Sequence, residues 1–304
     1  MPLSLFRPAP HRSRARLIAL TVLLLAGGLP GAVGASPVYD SRPAPLPPNV
    51  PSLGFEANGS SEFGDLIQFA GTNRTLAQVT LVMSDGALAA NFPALPGAGG
   101  PTWSDPLTLN LYDVDNSGPN PAPGTLIATR TQAFAIPWRP VADPTCANPS
   151  QWRASDGNCY SGLAFNVTFD FTGTVVPNQI IYGLAFNTQN HGYAPIGAPG
   201  PYDSLNQGLA QVPPSLGSNP FPDTAYVTFS SAGSYADGGA GGVGIFRRDT
   251  GWTPFSGAIG FDALDPAATA VPTLSPLGLL LLVVILPLST LMGTRRASNL
   301  RSSD

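Results

Sequence analysis

From residue 65 to residue 264 the chain repeatedly alternates apolar and polar positions with a period of two. Residues 76–83 put Val79, Leu81 and Met83 on one side of an extended chain and Thr80 and Val82 on the other. Residues 107–112 separate Leu107, Leu109 and Leu111 from Thr108 and Asn110, and residues 163–171 align Leu163, Phe165, Val167, Phe169 and Phe171. The same reading predicts strands at 65–70, 125–136, 179–186, 225–229, 243–246 and 258–264, bounded by Gly, Pro, Asn or Asp. No helical period of useful length interrupts them. Many short alternating strands predict an all-β fold. The long connection 187–224 favours a jelly-roll-like β-sandwich over an up-and-down barrel. An outer-membrane barrel would need regular strands of about ten residues with an outward apolar band. The irregular spacing here argues against one.

Two segments at the ends break this pattern. At the N-terminus, Arg7, His11, Arg12, Arg14 and Arg16 precede an apolar core at residues 17–26, helix-breaking Gly27, Gly28, Pro30 and Gly31, and then Val33-Gly34-Ala35. Basic, apolar and small-residue regions in that order predict a secretory signal peptide at 1–35, cut between Ala35 and Ser36, with an uncut membrane anchor as the alternative. At the C-terminus, residues 277–292 are apolar with Pro287 inside, and Arg295, Arg296 and Arg301 follow. The run would make roughly 24 Å of helix, slightly short of a spanning segment. Positive charge beside it favours the cytoplasmic side. The intervening organisation reads as a Pro-rich leader at 36–53, a β-domain at 54–264, a linker at 265–270 and the tail at 271–304.

The tail begins Val271, Pro272, Thr273, Leu274, Ser275, with Gly278 after it and Arg295 and Arg296 closing it. It resembles the IPTL-CTERM sorting signal of Gram-negative bacteria, a relative of PEP-CTERM. Val271 replaces the family's Ile, and Pro276 and Leu277 stand where Glu and Trp are common. The resemblance implies recognition by an exosortase-like membrane enzyme, removal of the tail, and delivery to the cell surface or extracellular matrix. Secretion machinery and, through the tail, the membrane are then partners. A permanently anchored surface protein is the alternative. Within the body, Leu107-Thr-Leu-Asn-Leu-Tyr112, an Asp/Gly turn and Pro123-Gly-Thr-Leu-Ile-Ala128 resemble secreted bacterial β-sandwich surface modules, which implies no particular ligand.

Composition narrows the partners. The chain has 34 Gly and 34 Pro, and contains no Lys. Between the two end segments, seven arginines stand against 17 acidic residues (18 in the full chain less Asp304), a net charge of −10. That excludes a nucleic-acid groove, which needs dense basic charge. It is compatible with surface glycans or divalent cations. The two cysteines, Cys146 and Cys159, both fall in the exported part and are expected to form a disulfide.

Candidate chemistry is sparse. Asp113, Asp115 and Ser117, with Gly118 at the sixth place, match the first half of a calcium loop, so Ca2+ is the one cofactor considered. The bidentate Glu of such a loop is missing, since Gly124 stands there, and a strand-connecting turn explains the same residues. His191 lacks the neighbouring motif a triad would need. Glu56, Glu62 and Asp65 could supply a carboxylate pair for polysaccharide hydrolysis, a chemistry that depends on their separation. Trp103, Trp138, Trp152, Trp252, Tyr193 and Tyr202 either stack on sugars or pack in the core. Residues 237–244 are glycine-rich but lack the Lys of a phosphate loop. The expected function is that of a non-catalytic exported surface protein, adhesive or glycan-binding. A secreted hydrolase is the rival.

Overall fold

The computed structural model describes residues 34–93, 97, 99–187 and 204–265. The described residues all belong to one compact unit of the chain. The signal segment, the sorting tail, His191, Tyr193 and Tyr202 lie outside the described residues. Among the described residues, no helix is long and apolar enough to cross a membrane.

The fold is all-β. In chain order the strands are β1 (Ala35–Asp40), β2 (Ser52–Gly54), β3 (Ser60–Gln68), β4 (Leu76–Asp85), β5 (Thr102–Asp115), β6 (Ala122–Pro137), β7 (Trp152–Arg153), β8 (Cys159–Tyr160), β9 (Leu163–Asp170), β10 (Gln179–Ala185), β11 (Leu205–Ala210), β12 (Thr224–Phe229), β13 (Arg247–Thr250), β14 (Ser256–Gly257) and β15 (Ile259–Leu264). One sheet runs β13-β12-β3-β10-β5-β6. The other runs β1-β15-β4-β11-β14, with β9 on the other side of β4 and β2 on β11. Every named pairing is antiparallel. The chain changes sheet at most of its connections, as from β3 to β4, β4 to β5 and β9 to β10.

One core cluster takes side chains from both sheets. Val79, Leu81 and Met83 of β4 and Val167 and Phe169 of β9 meet Leu107, Leu109 and Leu111 of β5 and Phe63 and Ile67 of β3. These are the alternations read from the sequence, and each fully buried side chain contributes roughly 1.5–3 kcal/mol. Cys146 and Cys159 form a disulfide across a sequence separation of 13, with Cα atoms 5.9 Å apart. By chain entropy a closure of that size contributes roughly 3 kcal/mol.

Several bounds differ from the sequence reading. The Pro-rich stretch 36–53 carries β1, which pairs with β15, and most of β2, which pairs with β11. The connection 187–224 contains β11, where Gly208 allows the backbone close to Val82 and Val50. No strand forms at 243–246. Gly238, Gly239 and Gly242 before it and Gly244 within it take positive φ, and pairing with β12 starts only at Arg247.

Candidate functional site

Two carboxylates of β3 show how the sheet distributes its chemistry. Glu62 and Asp65 are three residues apart, so they point to opposite faces. Glu62 lies on the outer face. Its Oε1 accepts hydrogen bonds from Asn110 Nδ2 at 2.8 Å and the Tyr112 hydroxyl at 2.9 Å, and Thr129 Oγ1 donates to Asn110 Oδ1 at 2.8 Å. Cross-strand pairing sets Gly64 against Gly183 beside this network, and Gly183 against Asn110. An added Cβ on Gly183 would collide with the Glu62 carboxylate, so the glycine provides the space in which that side chain lies. Burial raises the Glu62 pKa, against the lowering effect of Asn110 and Tyr112.

Asp65 faces inward. It accepts Leu66 N at 2.8 Å and Asn219 Nδ2 at 2.6 Å, and burial pushes its pKa well above the ordinary value. The tyrosines Tyr39 and Tyr182 are held protonated first by their own burial and next by the field of Asp65. Asn219 also forms part of the wall of a surface groove of about 370 Å³. Val212, Pro213, Pro214, Pro222 and Pro254 supply its apolar walls, and no charged side chain lines it. Such a volume matches a small ligand of a few rings.

The opposite end of the domain holds two more buried acids. Asp85 accepts Ala87 N at 3.0 Å and Trp103 Nε1 at 3.3 Å, and Arg139 lowers its pKa by charge; burial nevertheless raises it to about 7. Asp105 follows Trp103 on the inward side of β5. Its Oδ2 is buried without a hydrogen-bond partner, and burial alone raises its pKa to about 7. In Glu62, Asp65, Asp85 and Asp105 the largest cause is burial, and in none is another carboxylate a cause. Glu62 and Asp65, on opposite faces of β3, do not face each other as a carboxylate pair would.

The other sequence candidates within the described residues lie in turns and packing contacts. Asp113 and Asp115 end β5; Asp113 Oδ1 accepts Val114 N and Asp115 Oδ1 accepts Ser117 N, both at 2.8 Å. The carboxylates thus brace the β5–β6 hairpin, as a turn would require. Among the described residues no group of three His, Cys, Asp or Glu side chains converges. Residues 237–244 wrap one ion pair: Asp237 accepts Arg247 Nη2 at 2.7 Å, Gly239 N and Gly241 N at 2.9 Å, and its pKa falls to about 2. Trp103 and Trp152 are buried, and the indole N–H groups of Trp103, Trp152 and Trp252 donate to Asp85, Gly162 O and Asp249. Trp138 and Trp252 pack against the core cluster.

The partners Asn110, Tyr112 and Asn219 escaped the sequence reading, because nothing in a single chain marks an amide as a carboxylate's partner. Asp105 was within reach: extending the Leu107–Leu111 alternation two positions back places it inward. No family model, curated protein or solved structure matches this chain.

Proposed function

We propose that the chain is an exported protein of the cell surface or extracellular matrix, carrying a jelly-roll-like β-sandwich that binds or adheres and does not catalyse. In this reading residues 1–35 are a signal peptide, and residues 271–304 are a sorting tail handled by an exosortase-like enzyme. The observation that carries it is the pairing of the first strand with the last. Ala35 lies opposite Leu264, Ser36 opposite Ala263, and Ser36 Oγ donates to Asp265 Oδ1 at 2.6 Å. The proposed cleavage point and the start of the linker thus share one corner of the domain. The disulfide suits an oxidising compartment. The uncharged groove suits a neutral ligand such as a glycan.

Intact-mass measurement on the exported protein tests this reading. The expected species begins at Ser36 and lacks the tail. A membrane-bound species that keeps residues 271–304 would favour the permanent anchor. A full-length species confined to the cytoplasm would overturn export.

A further inference from the structure

We infer that Asn58 accepts an N-linked glycan as the chain is exported, an assignment that rests on the export reading above. Three asparagines of the described domain stand in the acceptor pattern Asn-x-Ser/Thr with x other than Pro: Asn58-Gly59-Ser60, Asn73-Arg74-Thr75 and Asn166-Val167-Thr168. The fold tells them apart. The Thr168 hydroxyl shares a hydrogen bond with Thr80 Oγ1 at 2.9 Å, so it helps hold β9 to β4. Asn73 is half-buried, and its carbonyl accepts Arg74 Nη1 at 2.7 Å. Asn58 is exposed, whereas Ser60 is fully buried and its Oγ has no hydrogen-bond partner. A buried hydroxyl without a partner costs stability, so the fold supplies no reason for Ser60. An enzyme that reads the hydroxyl before burial supplies one. Asn58 alone of the three also has an acid two residues ahead, Glu56, which offers such an enzyme a charge to hold.

Topology leaves the segment open to such an enzyme. Asn58 closes a single helical turn, Phe55–Asn58, which Gly59 ends in the left-handed region at φ 61°. One turn is not stable alone. Ser60 pairs with Phe229 of β12, and Glu62 with Ala185 of β10. A chain exported from its N-terminus therefore presents residues 56–60 without these partners until the later strands follow. Asn58 Nδ2, which in the folded domain donates to Gly54 O at 2.9 Å, is then free to react. The step joins Asn58 Nδ2 to the anomeric carbon of a glycan carried on a lipid diphosphate. The bond from that carbon to the diphosphate oxygen breaks, and the lipid diphosphate leaves with the electron pair. One amide proton passes to a basic group of the transferase. Once β3 has paired, the exposed Asn58 carries the glycan into solvent.

The full chain is produced in its own host as wild type, Asn58→Gln and Ser60→Ala, and the purified proteins are mapped by tandem mass spectrometry. A glycan on the peptide that contains Asn58 is expected in the wild type and absent from Asn58→Gln. Ser60→Ala should lose it as well, yet still be exported with an unchanged circular dichroism spectrum, because the Ser60 hydroxyl holds nothing in the fold. An exported species that begins at Ser36 with Asn58 unmodified, or a glycan that survives either substitution, would overturn the inference and leave export standing. A full-length species confined to the cytoplasm would overturn both.

Discussion

Asp105 offers the sharpest test of how this core handles charge. Its side chain lies between the sheets, Oδ2 has no hydrogen-bond partner, and burial raises its pKa from 3.8 to about 7. The folded state therefore keeps a proton that the unfolded state releases above pH 3.8. Stability falls as pH rises through the window from 3.8 to 7, at up to about 1.4 kcal/mol per pH unit. Between pH 4.5 and 7.5 the group's contribution amounts to about 3 kcal/mol of lost stability. Asp105→Asn is nearly isosteric and carries no charge at any of these pH values. Urea unfolding followed by tryptophan fluorescence, with Trp103 two residues away, gives both proteins' stability at each pH. The wild type should lose about 3 kcal/mol more than Asp105→Asn on going from pH 4.5 to 7.5, whatever their absolute values. Equal slopes within about 1 kcal/mol would mean that Asp105 ionises near its ordinary value, and the argument from burial would fail.

Two further substitutions probe the neighbouring networks. Asp85→Asn should destabilise by about 1–3 kcal/mol at neutral pH. Its amide N–H group would face Ala87 N–H or the Trp103 indole N–H, both donors, and the same unfolding assay reads this. Gly183→Ala should cost about 2 kcal/mol, because the new methyl displaces Glu62 from Asn110 and Tyr112. In a double-mutant cycle Glu62→Ala should absorb most of that cost; simple additivity would show that the two side chains do not compete for the space.

The sequence carried the core because the core is periodic. Leu107, Leu109, Leu111, Val79, Leu81 and Phe169 are buried where a two-residue period puts them. It lost strands where pairing, and not side-chain pattern, makes the strand. Ser60–Gly64 reads as mostly polar, yet it is half of β3, because Gly64 and Gly183 let two backbones and the Glu62 carboxylate share one place. Proline and serine disguised β1 as a leader, since its partner β15 lies more than 200 residues away. The carboxylates were legible as residues and illegible as chemistry. Glu62 and Asp65 look like a pair in one dimension, and the sheet sends them to opposite faces.

The chain's exit and the edge strand β6 sit on the same side of the domain. A groove of about 360 Å³ is lined both by Ala35, opposite the end of β15, and by Gln132 of β6. β15 lies between β1 and β4, so a pull on residue 265 acts along two ladders at once and loads their hydrogen bonds together instead of peeling one at a time.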